Sequence, residues 1–424
     1  MKRRIISTLL IAVMFVSVLT GCHNSSEETA TVDAEQTGYD VEAVVANFDM
    51  GELNDTEKEY VIEMGYFNCD HMVGAIIGEK TGLYEALGLN VNVTKSGETL
   101  AALTSGAMDV GYTGVWGAMA GVDDGAPFFI AAGNHMGGSM YLVASNDIKT
   151  GEDLKGKTLA ITATPDIDPA ILTWEQEIGM SSNPDDYEIV EMGSQDAMFA
   201  LKAGQIDGFS CCDPYASIAE YEGFGHIMAI DWTAPGVSAE SAYDDWGLCC
   251  TYAMNIEFSE KCPELARRLM FAHQEAIKYM YEHPYNAAMM FADGFDVAPY
   301  VALRTIYMKT VSEGRTLTWR FTDANVDSYL SYYTQFPQIP ESEIPMISDR
   351  SKLTSSAILE AANLDDFETY IKEVVDPIFP LGTTFEDWYN IAKGIDGISD
   401  EEAVDISDTA TPYLNENLDE RTSK

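Results

Sequence analysis

The sequence predicts an α/β protein built as two similar lobes, and three observations carry that expectation. Strand and helix signals alternate along the chain from about residue 59 onward, the pattern of parallel sheets with helices on both faces. One junction occurs twice, as Ala102-Leu103-Thr104-Ser105-Gly106-Ala107-Met108-Asp109 and as Ala200-Leu201-Lys202-Ala203-Gly204-Gln205-Ile206-Asp207. Each copy reads as a helix end, a left-handed Gly cap, an Asp and a short strand. Finally, 424 residues that are 46% hydrophobic and 11% aromatic exceed one small core and suit two.

At the N-terminus, Lys2, Arg3 and Arg4 precede an apolar run from Ile5 to Val18, too short to span a bilayer comfortably. The run ends in Leu19-Thr20-Gly21-Cys22, the bacterial lipobox pattern of small residues before a thiol. Residues 1–21 are therefore expected to be a lipoprotein signal peptide, with Cys22 the lipidation site. From His23 to Glu57 there is no Lys or Arg, while Glu27, Glu28, Asp33, Glu35, Asp40 and further acids recur. Residues 22–57 are predicted to stay extended as an acidic tether, because they offer little apolar surface and repel themselves.

The folded body follows. Glu59 to Gly65 reads as a strand, Met72 to Leu87 as one helix stopped by Gly88, and Leu89 to Thr94 as an alternating strand. A short helix closed by Gly106 leads to a strand at Met108 to Tyr112, a helix from Trp116 and a strand at Phe128 to Ala132. The overall charge is −45, from 24 Lys+Arg against 69 Asp+Glu, which repels polyanions and excludes nucleic-acid binding. No second long apolar run occurs, which argues against a polytopic membrane protein.

Several short stretches, in order, resemble the solute-binding proteins of ABC importers, in particular the nitrate/sulfonate/taurine group. They are Gly65-Tyr66-Phe67 with His71, Gly82-Leu83-Tyr84 with Gly88-Leu89-Asn90-Val91, and Leu103, Gly106 and Asp109-Val110-Gly111. Asp153-Leu154-Lys155-Gly156-Lys157, Leu201 to Asp207, and Asp213-Pro214 continue the series over roughly residues 58–340. The resemblance implies a type II periplasmic-binding-protein-like fold with two crossover strands, Met140 to Ser145 and Gly247 to Met254. The lobes would then be 58–139, 140–246 and a return to the first lobe at 247–340. Residues 341–424 form a C-terminal extension, read as apolar helical segments at Ile371 to Phe379 and Phe385 to Ile391, then an acidic tail from Asp396.

Ligands of open α/β sheets sit at strand carboxyl ends. The candidate ligand residues are thus Asn68, Asp70 and His71 after the first strand, and Ser96, Gly97, Glu98 and Thr99 after the second. Thr113 and Gly114 follow the third, Asn134 and His135 the fourth, and Thr164 and Asp213 come from the second lobe. Ser96 to Thr99 reads equally as an ordinary helix cap, and His71 equally as a structural imidazole. Three acids, Asp70, Glu98 and Asp213, face one nearby cation, Lys95, which favours zwitterions of the taurine kind or neutral thiamine-precursor pyrimidines over nitrate.

Besides Cys22 there are six cysteines, four of them in adjacent pairs, Cys211-Cys212 and Cys249-Cys250. Adjacent residues on a strand point to opposite faces and no Cys-x-x-Cys spacing occurs, so no metal site is expected. A disulfide between the pairs and buried free thiols both remain open. No paired His, Gly-x-Ser-x-Gly elbow or phosphate loop points to catalysis. The expected function is a lipid-anchored, extracytoplasmic, monomeric receptor, not an enzyme and without cofactor. It would deliver a small nitrate/sulfonate/taurine-type solute to ABC permease subunits, with a thiamine-precursor pyrimidine or other amine-bearing solute as the alternative.

Overall fold

A computed structural model describes residues 39–138, 140–344 and 350–407. The expected signal peptide, the proposed lipidation site Cys22 and the acidic end beyond residue 407 lie outside the described residues. Two five-stranded sheets form the frame. The first has the order β2 (Val91–Lys95), β1 (Ile62–Tyr66), β3 (Val110–Gly114), β10 (Leu248–Asn255) and β4 (Phe128–Met136). The second has the order β7 (Glu188–Ile189), β6 (Thr158–Ala160), β8 (Gly208–Cys211), β5 (Met140–Ser145) and β9 (Gly225–Asp231).

The chain enters the second sheet through β5, antiparallel to β8 and β9. It returns to the first through β10, inserted antiparallel between β3 and β4. These are the two crossovers that the sequence resemblance implied. β4 is an edge strand, and the segment 316–320 covers it: Met136 N–H donates to Thr316 and Thr318 N–H donates to Asn134. The approach is close enough that a Cβ on Gly133 would lie 2.1 Å from the Arg320 carbonyl oxygen.

The repeated junction has one structural meaning in both sheets. Gly106 and Gly204 adopt left-handed φ of 73° and 67°. Asp109 Oδ2 accepts from Glu63 N–H and Asp207 Oδ2 accepts from Thr158 N–H, each at the entry of the neighbouring strand. The aspartates therefore fasten adjacent strands together rather than face a ligand.

Three regions differ from the sequence reading. Met72 to Leu87 is two helices, Gly74–Lys80 and Leu83–Ala86, because Gly82 takes φ 74° and turns the chain. Residues 39–57 are docked rather than extended. Val45 and Phe48 are buried, the Arg267 guanidinium lies over the Phe48 ring, and Glu57 Oε1 accepts from Glu264 N–H at the start of helix Pro263–Glu282. A few apolar residues sufficed to anchor this acidic stretch once a basic partner and an open helix end lay beside it.

The C-terminal extension also packs tightly. Trp388, on helix Phe385–Ile395, is fully buried against the Tyr307, Phe385 and Phe379 rings. Asp396, expected at the start of a fraying tail, is buried and caps helix Pro284–Phe295, accepting from the N–H groups of Tyr285 and Asn286.

Candidate functional site

The carboxyl ends of β1 and β2 face those of the second sheet across a cavity of about 510 Å³. Phe67, Asn68, Lys95, Ser96 and Gly97 line one side, and Ser194, Gln195, Phe199, Cys212 and Tyr215 the other. The two sides touch: Asp70 N–H donates to the Asp213 carbonyl at 2.9 Å, and Asn68 Nδ2 donates to Tyr215 Oη at 2.8 Å. The cleft is therefore held closed by hydrogen bonds between loops of both sheets. A larger hollow of about 720 Å³, lined by Val122, Phe129, Arg267 and Ile358 among others, lies away from the strand ends that build the cleft.

Of the predicted residues, Asn68, Ser96 and Gly97 line the cavity. Glu98 is exposed and only precedes the short helix Thr99–Ser105, while Thr99 is buried and donates to the Ser96 carbonyl. Thr113 is buried and paired with Thr251 Oγ1 at 3.0 Å, and Gly114 ends β3 as the cap residue of helix Val115–Asp123. Thr164 is exposed in a turn and lines no described cavity. Glu98, Thr113 and Thr164 thus lie outside the lining of this cavity.

Next to the cavity-lining loops lies a buried polar cluster. Asp70, predicted as a ligand acid, instead binds Lys309 Nζ through Oδ2 at 3.0 Å and His71 Nδ1 through Oδ1 at 2.9 Å. Lys309 Nζ also meets Glu313 Oε2 at 2.6 Å, and Tyr141 donates to Glu313 Oε1 at 2.8 Å. All of these side chains are buried. Burial works against both charges, yet the Asp70 and Glu313 carboxylates hold the Lys309 ammonium well above its usual range. Burial likewise opposes ionisation of Asp70, but Lys309 and then His71 keep its carboxyl below the usual range. Asp213 accepts from Ser217 N–H and Oγ; burial, and then the Asp70 charge, push it up to about 6.

The three acids that favoured an amine ligand are thus spent elsewhere, two within the protein and one in solvent. Lys309 lies in the π-helical turn Met308–Ser312 and Glu313 caps it, directly after the largely apolar helix Pro299–Tyr307, so neither was singled out from the sequence. The signal was a Lys and a Glu four apart on an otherwise apolar stripe.

The histidines and thiols meet on the same floor. His71 Nε2 lies 2.8 Å from Cys250 Sγ and 3.3 Å from Cys69 Sγ. His135 stacks on His71 with ring centroids 4.1 Å apart and planes within 5°. Asn134 donates to the His71 carbonyl at 2.8 Å. Burial disfavours a charged ring at His71, but the adjacent Asp70 carboxylate pushes its pKa up to about 10; burial and the His71 charge push His135 down to about 4. Donor atoms of His71, His135 and Cys249 lie within 4.8 Å of one another, as do those of Cys69, Asp70 and His71.

This geometry overturns the strand-alternation argument against clustered thiols. In the β10–β4 ladder, Leu248 pairs Met136, Cys250 pairs His135 and Thr251 pairs Gly133. One extra residue on each strand, Cys249 and then Asn134, makes consecutive bulges, and bulges re-aim side chains. The Cys249 and Cys250 sulfurs consequently lie 4.0 Å apart rather than on opposite faces. The cysteine pairs also sit in different sheets, Cys211 on β8 and Cys249-Cys250 on β10, and all six described cysteines are free.

Comparison with known proteins agrees with this architecture. Among solved structures, the chain is similar to the alkanesulfonate-binding protein of Xanthomonas axonopodis pv. citri bound to MOPS, at 16% identity and TM-score 0.53, covering 70% of this chain and 98% of that one. It is also similar to a protein from Bordetella bronchiseptica RB50, at 18% identity and TM-score 0.57, covering 74% and 98%. The periplasmic nitrate-binding protein of Synechocystis PCC 6803 matches at 16% identity and TM-score 0.51, covering 80% and 98%. These share the fold. No curated protein matches the sequence. The NMT1/THI5-like family model matches residues 68–287, just over half the chain and the stretch that supplies both crossovers, so the chain belongs to the NMT1/THI5-like family.

Proposed function

We propose that this chain is the extracytoplasmic solute-binding component of an ABC importer and that its solute is a small organic sulfonate, with taurine-like aminosulfonates preferred. The observation that carries the reading is a cavity walled by both sheets and closed by hydrogen bonds between them, the arrangement of a receptor that surrounds its ligand. The cavity offers one cation, Lys95, and the start of helix Ser194–Lys202, both suited to an anionic head. Asp296 supplies one anion, and Phe67, Met198, Phe199 and Phe295 supply apolar wall. An aminosulfonate uses all three features, whereas nitrate leaves the wall and Asp296 idle. With Asp70 and Asp213 committed inside the protein, a pyrimidine loses the acids that recommended it.

The same reading includes a lipid anchor at Cys22, permease subunits as partners, a monomeric receptor and no catalytic step. Among the described residues no helix is long and apolar enough to cross a membrane.

A thermal-shift series over taurine, longer alkanesulfonates, nitrate and thiamine-precursor pyrimidines tests the proposal. Ligand at a hundred times its dissociation constant stabilises by about 2.7 kcal/mol. Taurine or an alkanesulfonate should raise the melting temperature, and Lys95→Ala should abolish the shift. A response to nitrate alone, or to pyrimidines alone, would refute the assignment.

A further inference from the structure

We propose that His71, His135, Cys249 and Cys250 form a binding site for a thiophilic metal ion of the Zn²⁺ or Cu⁺ class on the floor of the cleft. This site is separate from the solute cavity and does not depend on the solute assignment.

The donor set comes first. Two imidazoles and two thiols are the soft ligands that such ions select, and two thiolates with two neutral imidazoles offset the charge of a divalent ion at the metal itself. Spacing comes second. Ligands at about 2.0–2.3 Å from a tetrahedral ion lie roughly 3.3–3.8 Å from each other. The observed separations, 2.8 Å from His71 Nε2 to Cys250 and 4.0 Å between the two sulfurs, bracket that range. Donors of His71, His135 and Cys249 fall within 4.8 Å of one another, and Cys250 joins them through its contacts with His71 Nε2 and Cys249 Sγ.

Orientation comes third. Asp70 receives the His71 Nδ1 proton at 2.9 Å, which turns Nε2 toward the thiols; a carboxylate behind a ligating histidine is the usual supporting arrangement. The Asp70 charge is in turn offset by Lys309. His135 is the independent observation. It is 0% exposed, neither of its ring nitrogens makes a hydrogen bond of ordinary geometry, and the thiol that acts on it is Cys249, one of the proposed ligands. A buried imidazole in that state costs free energy unless something binds it. The paired bulges that bring Cys249 and His135 to this point are local departures from a regular ladder, of the kind found beside functional sites.

Cys212 gives the site a connection to the cleft. It comes from the loop after β8, lines the cavity, and lies close enough to Cys69 to interact with it. Cys69, 3.3 Å from His71 Nε2, therefore stands between the proposed metal and a thiol carried by the opposite sheet.

The test uses the full mature chain, reduced and then freed of metal by a chelator. Co²⁺ serves as a spectroscopic probe and Zn²⁺ and Cu⁺ are titrated against chromophoric chelators. One equivalent of Co²⁺ should give a thiolate-to-metal charge-transfer band with tetrahedral ligand-field bands. Cys249→Ser and Cys250→Ser should each remove most of that band, and His135→Gln should weaken Zn²⁺ binding at least 100-fold. Asp70→Asn, acting through His71, should weaken it 10–100-fold. Circular dichroism of each variant separates lost ligation from lost folding, and X-ray absorption of the wild-type Zn²⁺ complex gives a readout free of mutation, with two sulfur and two nitrogen neighbours expected. A first shell of oxygen only, affinity unchanged in the Cys249→Ser/Cys250→Ser variant, or a chain whose Cys249 and Cys250 are isolated as a disulfide that excludes metal would each overturn the proposal.

Discussion

Replacing Lys309 with Met tests whether the buried charge cluster holds the cleft floor together. The Lys309 ammonium, 0% exposed, touches Asp70 Oδ2 at 3.0 Å, Glu313 Oε2 at 2.6 Å and the Tyr141 hydroxyl at 3.3 Å. Methionine keeps the length and packing of the stem but removes the charge. Asp70 then retains His71 as its partner, while Glu313 keeps only the Tyr141 hydrogen bond. Breaking a buried ion pair from one side costs about 3–5 kcal/mol, because a carboxylate is left without water or counter-charge. In the Glu313→Gln background the orphaned carboxylate is gone, so the Lys309→Met cost should fall by at least about 1 kcal/mol. Urea denaturation followed by both circular dichroism and tryptophan fluorescence measures the change as a shift in midpoint at constant slope. A single-variant cost below about 1 kcal/mol would refute the reasoning, since it would mean that water reaches the cluster. Additive costs in the double variant would show that Lys309 and Glu313 do not depend on each other.

Three further outcomes are expected. Asp231 is buried under the Tyr332 hydroxyl, and burial raises its carboxyl above the usual range. Its folded state therefore holds the proton longer than the unfolded chain, whose Asp titrates near about 3.9, so wild-type stability falls as pH rises above that value. Asp231→Asn should then raise the melting temperature at pH 7 and lose that advantage near pH 4; an equal gain at both would show that Asp231 is not the titrating group. Trp388→Ala removes a fully buried indole from the C-terminal extension and should cost about 3–5 kcal/mol, whereas a cost under about 1 kcal/mol by the same urea assay would make the extension separable from the body. Cys22→Ala should move the mature protein from the membrane fraction into the soluble one, and retention on the membrane after a salt wash would refute the lipid anchor.

The alternation of strands and helices and the repeated Gly106/Gly204 junctions were legible in the sequence because they depend on local periodicity and cap chemistry, whereas the two crossovers were implied only by the family resemblance. The structure adds why both junction aspartates recur: each fastens its strand to a neighbour's N–H. The cavity side of the site was partly legible too, since Asn68, Ser96 and Gly97 follow strands whose ends are fixed by topology. Charge placement was not. Asp70 and Asp213 read as ligand acids because nothing in the linear order reveals that Lys309, far along the chain, reaches Asp70, or that Ser217 satisfies Asp213. Cys249 and Cys250 read as opposed because alternation is a rule for regular strands, and a bulge is set by how β10 registers against β4, a partner more than a hundred residues earlier. The order of elements was thus determined by the sequence, through backbone preferences that act within a few residues. Which acids are free, which thiols meet and where the docked segment 39–57 lies were decided only by tertiary structure, because burial and counter-charge come from residues distant in the chain.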